Sequence, residues 1–302
     1  MGEGAKGRRV LTPSPRLTLQ KIEQFMANVF LSLTLLAYYG ASALCIAYFL
    51  AQRESFCRLG AMVLAVGLVC HTAALALITW NLGRLPVATL GESLLVFSWT
   101  LVAAFLLLFW RFPIRVLGAL AAPLAALMVS GGLILPAGKG NVSPLLKNFW
   151  VLLHVGLTFM GVAALTLAGL GGLFYLVQER QIKKKRFGFF YRRLPSLEKL
   201  DALNYWCLSM GFPLLTVGMV IGSLYAQYTL GRFFSFDPKE ILTLIAWMIY
   251  AVLLHERLTV GWRGRRAAIL ALCGMGVLVI TFVGAGLWLG GYHSFASFSR
   301  QP

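Results

Sequence analysis

Residues 27–50 read ANVFLSLTLLAYYGASALCIAYFL, twenty-four positions without one charged side chain. As a helix rising 1.5 Å per residue this stretch covers about 36 Å, more than the ~30 Å hydrocarbon core of a bilayer. It is longer than the apolar core of a signal peptide and no small-residue cleavage site follows it, so it reads as a retained membrane helix. Runs of the same kind recur near 60–79, 91–110, 115–135, 150–177, 206–226, 241–257 and 267–290. Eight spans in one all-α polytopic transmembrane bundle is therefore the expected fold. The whole chain agrees: of its 302 residues 59% are hydrophobic and 12% charged, and its mean hydropathy is +0.78. So little polar surface excludes a water-soluble globule and makes lipid the solvent.

The charge is uneven, with 27 Lys and Arg against 10 Asp and Glu, a net +17. In a soluble chain this would point to nucleic acid. Here the cations sit in short clusters between apolar runs, where they set orientation, and no nucleic-acid partner is expected. Alternating the loops places Arg53, Arg58, Arg111, Arg115, the eight Lys and Arg of segment 178–203, and Arg257, Arg263, Arg265 and Arg266 on one face, sixteen in all. The other face, without the N-terminal tail, has six: Arg84, Lys139, Lys147, Arg232, Lys239 and Arg300. The first face then reads as cytoplasmic and both termini as external. The tail, with Lys6, Arg8, Arg9, Arg16 and Lys21, runs against this rule, but reversing the bundle would expose the more basic 181–186 loop. The expected organisation is a basic tail over 1–26, one membrane domain over 27–295 and a C-terminal tail over 296–302, with segment 178–203 the only long polar connection. Trp80, Trp110, Trp150 and Trp206 fall at span ends as an interfacial belt, and Gly286 and Gly290 have the spacing of close helix packing.

Cys45, Cys57, Cys70, Cys207 and Cys273 form no CxxC pair and no CxxCH signature. The chain is thus neither a c-type cytochrome itself nor a thiol oxidoreductase. The four histidines are more informative. His71 lies within the second span and His255 near the cytoplasmic end of the seventh; His154 opens the fifth at the outer face and His293 follows the eighth there. One histidine alone would read as a hydrogen-bonding group in a helix packing. An inner and an outer pair read as ligands, because a neutral imidazole nitrogen suits haem iron, which takes axial ligands from both sides of its plane.

The connection between the sixth and seventh spans, residues 225–240, is short and aromatic. Tyr225, Tyr228, Phe233, Phe234 and Phe236 offer a stacking surface for a flat apolar porphyrin, and Arg232 or Lys239 a partner for its propionates. An amphipathic loop resting on the lipid interface would have the same composition, so both readings stand. Asp237-Pro238 reads as a helix start, with Asp at the cap and Pro at the first position.

Several ordered stretches together resemble the cytochrome c assembly family of membrane haem-handling proteins, the CcsA/ResC type. They are His71-Thr72 with Trp80, Leu90-Gly-Glu-Ser-Leu94, Trp150 to His154, Leu200-Asp-Ala-Leu-Asn204, Gly211-Phe-Pro-Leu-Leu-Thr216, Gly222-Ser223, Gly231 to Glu240, His255, Gly261-Trp262 and His293-Ser294. The resemblance runs from about Ala41 to Phe295. It implies haem b as cargo, His71 and His255 as an inner pair of iron ligands, and His154 and His293 as an outer pair flanking the segment that presents haem to apocytochrome c. Asp237 matches the acidic end of that segment. It also implies a bacterial cytoplasmic membrane, presentation on the outer face, and a second membrane subunit of the CcsB/ResB type. The chain would then act as the haem-presenting subunit of a synthase rather than as an enzyme by itself. Where the family carries tryptophans this chain has Tyr225, Leu230, Phe234 and Phe236, which keeps stacking area and loses the indole donors. Two other readings stay open: a HemX-like regulator of tetrapyrrole synthesis, and a transporter of another amphipathic anion.

Overall fold

In the computed structural model residues 15–112, 114–135 and 148–284 are described, with side chains from residue 19 onward. The expected all-helical bundle is present, with eight helices long and apolar enough to cross a membrane. The elements are α1 (Pro15–Ala51), α2 (Glu54–Leu82), α3 (Leu90–Arg111), α4 (Gly118–Ile134, entered through a 3₁₀ turn at Arg115–Leu117), α5 (Phe149–Lys183), the short α6 (Phe189–Arg193), α7 (Leu197–Leu230), α8 (Pro238–Thr259) and α9 (Arg265–Val279). After Val279 the winding loosens into a π turn over Ile280–Gly284. His293, Lys139, Lys147, the pair Gly286 and Gly290, most of the 1–26 tail and the 296–302 tail lie outside the described residues.

The helices start where local chemistry satisfies their first amide groups. Thr89 Oγ1 accepts from the Glu92 amide at the head of α3, and Asn148 Oδ1 from the Trp150 amide at the head of α5. Asp237 Oδ1 accepts from the Lys239 amide, with Pro238 as the first residue of α8, as its sequence suggests. Gly83 and Gly231 end α2 and α7 with φ of 61° and 70°, a left-handed cap that a Cβ disfavours.

Several helices run longer than hydropathy alone suggests, α5 and α7 among them. At 35 and 34 residues, α5 and α7 reach about 50 Å, well past the hydrocarbon. Segment 178–203 is thus mostly helix, interrupted only around α6. The extension is held by packing: Leu200 and Leu203 of α7 are fully buried. Asn204 Nδ2 donates to the Ala168 carbonyl of α5 at 3.1 Å.

Helix α5 is the hub, lying against α7, α9 and α3, while α1 pairs with α2 and α4, and α8 with α9. Small residues allow its approach to α7. A Cβ on Gly161 would stand 2.6 Å from the Leu215 amide nitrogen and 2.9 Å from the Gly211 carbonyl oxygen, both backbone atoms that cannot rotate away. Gly161→Val is therefore expected to destabilise the bundle by about 3 kcal/mol, the upper end for overpacking. Unfolding in mixed detergent micelles checks this: the midpoint should fall for Gly161→Val and stay put for Gly156→Ala, where open space surrounds the site.

Two latches fix the helix ends. At one end Arg84 holds Glu92 through two hydrogen bonds of 2.8 and 3.0 Å, and Glu92 also accepts from the Ala88 amide. At the other, Arg257 of α8 holds Asp201 of α7 at 2.6 and 3.1 Å, and Asp201 also accepts from the Gly264 amide ahead of α9. Both acids belong to stretches that carry the family resemblance.

Candidate functional site

His154 lies in the second turn of α5, on the face turned toward α7. Its Nδ1 is 2.7 Å from the Gly218 carbonyl oxygen, and its ring rests on Gly222, where a Cβ would meet Cε1 and Nδ1 at 2.6 Å. A carbonyl oxygen only accepts, so Nδ1 carries the proton, and in the neutral ring the lone pair is then on Nε2. This is the arrangement in which a backbone carbonyl orients a metal-binding imidazole. Gly218 and Gly222 are one helical turn apart, and Thr158, one turn below His154, packs against Gly218. The seam thus has room for a ring only because α7 presents no side chains there.

Above this seam α7 continues through Tyr225, Tyr228 and Leu230, so the connecting segment proper is only residues 231–237, shorter than the expected 225–240. Tyr225 lies one turn above Gly222 on the same face, and the end of α7 is about 12 Å above Gly222 by helix rise. Tyr228, Phe233 and Phe236 project outward, 86%, 58% and 76% exposed. Phe234 is half-buried and meets Phe236 edge-on at 5.0 Å. Phe236 has φ 55°, a left-handed conformation costing a non-glycine residue on the order of 1–3 kcal/mol. The turn is held on both sides: Ser235 donates through its amide and hydroxyl to Glu240 at 2.8 and 2.7 Å, and Asp237 is buried as the cap of α8. Asp237 thus directs a carboxylate oxygen at its own helix, while Arg232 is exposed.

His71 is on the buried face of α2, fully enclosed. Its Nδ1 is 3.2 Å from the Tyr38 hydroxyl of α1, the two rings meet edge-on at 5.7 Å, and its Nε2 has no hydrogen-bond partner among the described residues. His255 lies in the last turns of α8 but faces outward, opposite the buried row Ala246, Tyr250 and Leu253. Helix α2, which carries His71, packs on α1 and α3, whereas α8, which carries His255, packs on α7 and α9. Tyr38, Gly218 and Gly222 escaped the sequence reading as site residues, although Gly218 and Gly222 have the GxxxG spacing that marks close helix approach.

No group of three His, Cys, Asp or Glu side chains gathers among the described residues as around a bare metal ion. An imidazole oriented by a backbone carbonyl, below a helix end that carries exposed aromatic rings, suits a flat, apolar ligand that brings its own metal and leaves axial positions for histidine.

By fold and site this is a multi-pass membrane protein with histidines set into its helix packing, and comparison with known proteins places it further. Residues 87–293 match the Cytochrome C assembly protein family. A protein from Synechococcus sp. (strain CC9605) named cytochrome c biogenesis protein CcsA is 31% identical over 281 residues, covering 85% of this chain and 92% of the relative. Relatives of the same name from Guillardia theta and Prochlorococcus marinus (strain MIT 9303) are 33% and 30% identical, covering 76% and 93% of this chain and 83% and 98% of their own lengths. The chain belongs to the cytochrome c assembly family. Among solved structures it is similar in fold to the cytochrome c heme lyase CcmF, with TM-score 0.59 and 18% identity over 93% of this chain; it spans 49% of that longer chain.

Proposed function

We propose that this chain acts in cytochrome c maturation, binding haem b through its histidines and presenting it to apocytochrome c at the end of the bundle that carries residues 231–237. The observation that carries the proposal is His154, whose lone pair is fixed on Nε2 by the Gly218 carbonyl beneath a segment of outward aromatic rings. Family membership supports the haem and apocytochrome assignments. His293 is proposed as the second outer ligand. Tyr228, Phe233 and Phe236 would cover the porphyrin face, with Phe234 and Tyr225 behind them and Arg232 on a propionate. Asp237 holds the turn in shape. The inner pair is proposed as His71, in the core beside Tyr38, with His255, on the outward face of α8.

Bound haem supplies the vinyl groups that receive the cysteine thiols of the apocytochrome. The chain's own share is to hold the iron by imidazole, orient the ring plane and shield one porphyrin face from water. The sixteen cations at the opposite end favour the inner leaflet of the bacterial cytoplasmic membrane for that end, and the outer face for the presenting segment. A partner of the CcsB/ResB type would complete the synthase. Nothing in the geometry favours the regulator or the anion transporter, and the relatives bear the cytochrome c biogenesis name.

The test is complementation. Expressed with a CcsB-type partner in bacteria lacking their own maturation genes, the chain should restore covalent haem staining of a reporter cytochrome c. Restoration by a variant without histidines at 71, 154, 255 and 293 would contradict the proposal. A second outcome is specific to the inner station: Tyr38→Phe removes the hydroxyl beside His71 Nδ1, and loss of such an outer hydrogen bond weakens metal retention about tenfold. Haem titration of the purified variant should find this drop, together with a shifted Soret band, while the unfolding free energy of Tyr38→Phe stays within about 1–2 kcal/mol of wild type.

A further inference from the structure

At the basic end of the bundle, the segment between α5 and α7 has features that neither packing nor haem handling uses. Residues 180–197 contain seven Lys and Arg and no Asp or Glu. Lys183 pairs with Glu179 at 2.7 Å, and Arg193 donates to the Leu50 carbonyl at 2.6 and 3.0 Å while lying 3.8 Å over the Phe189 ring. Lys184, Lys185, Arg186 and Arg192 are exposed and enter no ion pair among the described residues. Between them Phe187, Phe189 and Phe190 are also exposed, at 54%, 45% and 45%.

Arg193 fixes the depth of this cluster. Its acceptor is one of the last carbonyls of α1, a membrane-spanning helix that ends at Ala51, and Phe49 packs edge-on against Phe189 at 5.8 Å. Helix α6 is thus tied to the level where a spanning helix leaves the hydrocarbon. Aromatic rings exposed at that level are costly against water and favourable in the headgroup region, and unpaired cations beside them complement phosphate.

We propose that residues 184–192 form a binding surface for anionic phospholipid, in which Lys184, Lys185, Arg186 and Arg192 hold headgroup phosphate and Phe187 and Phe190 enter the acyl boundary. The surface orients the long α5–α7 hairpin against the leaflet and fixes how far both helices project from it.

The full-length chain in phosphatidylcholine nanodiscs doped with phosphatidylglycerol tests this, with retained lipid counted by mass spectrometry after mild delipidation. Wild type should retain phosphatidylglycerol about tenfold over phosphatidylcholine. The triple variant Lys184→Gln, Lys185→Gln, Arg186→Gln should lose most of that preference. Arg53→Gln, Arg58→Gln, Arg263→Gln, which removes the same charge from the same end, should keep it, and Phe187→Ser should weaken it. Absence of preference in wild type overturns the proposal without reference to any variant. Equal loss in both triple variants overturns it in favour of general surface charge. Displacement by millimolar glycerol phosphate overturns it in favour of a soluble anion.

Discussion

His154→Ala is expected to leave the bundle folded and to empty its outer haem station. The substitution removes one hydrogen bond, to the Gly218 carbonyl, worth about 1 kcal/mol net, and it truncates a ring at a half-buried helix end. For the fold this is a modest change. For haem it removes an axial ligand, and changes merely behind a ligand already weaken metal binding about 10–100-fold. Haem retained through purification should therefore fall by at least that factor at this station, and covalent attachment to a reporter cytochrome should drop to background. Pyridine haemochrome quantitation and haem staining read the two effects, and an unchanged unfolding midpoint separates ligand loss from misfolding. Wild-type haem content in this variant would remove His154 from the mechanism.

Gly222→Val is expected to do nearly the same without touching a ligand. The Cβ it introduces falls 2.6 Å from two atoms of the His154 ring, closer than nonbonded carbon atoms approach. The ring must swing off α7 and lose the Gly218 hydrogen bond that fixes its lone pair on Nε2, or the two helices must part. Either response lowers haem retention at least tenfold and shifts the haem spectrum, because the surviving imidazole is no longer held. Gly156→Ala, on the same stretch of α5 with nothing near its Cβ, should be indistinguishable from wild type. If Gly222→Val binds haem normally, the glycine seam is packing only.

Much of this arrangement is legible in the amino-acid sequence, and the exceptions have physical causes. Span number follows from hydropathy because the bilayer tests only length and apolarity. Span ends do not, since α7 begins at Leu197, ahead of its apolar run, with Leu200, Leu203 and Asn204 buried and Asn204 bonded to α5. The cap at Asp237 is local chemistry and was readable from Asp237-Pro238. The placement of His154 and the 231–237 segment at one end of the bundle follows from helix alternation alone. Which way a histidine faces does not: His71 and His255 are both in apolar helices, yet one faces α1 and Tyr38 while the other faces outward, and only the packing order of helices decides that. Gly218 and Gly222 stand out in the sequence only by their GxxxG spacing, and their partner across the seam is 64 residues distant from Gly218.

Whether this bundle holds haem by imidazole is read from the absorption spectrum, oxidised and reduced, of detergent-purified wild type and His154→Ala. Wild type should show a low-spin haem spectrum that is lost or converted to high spin in the variant. A wild type that is colourless and cannot be loaded with haem, or a variant with an unaltered spectrum, would contradict imidazole ligation.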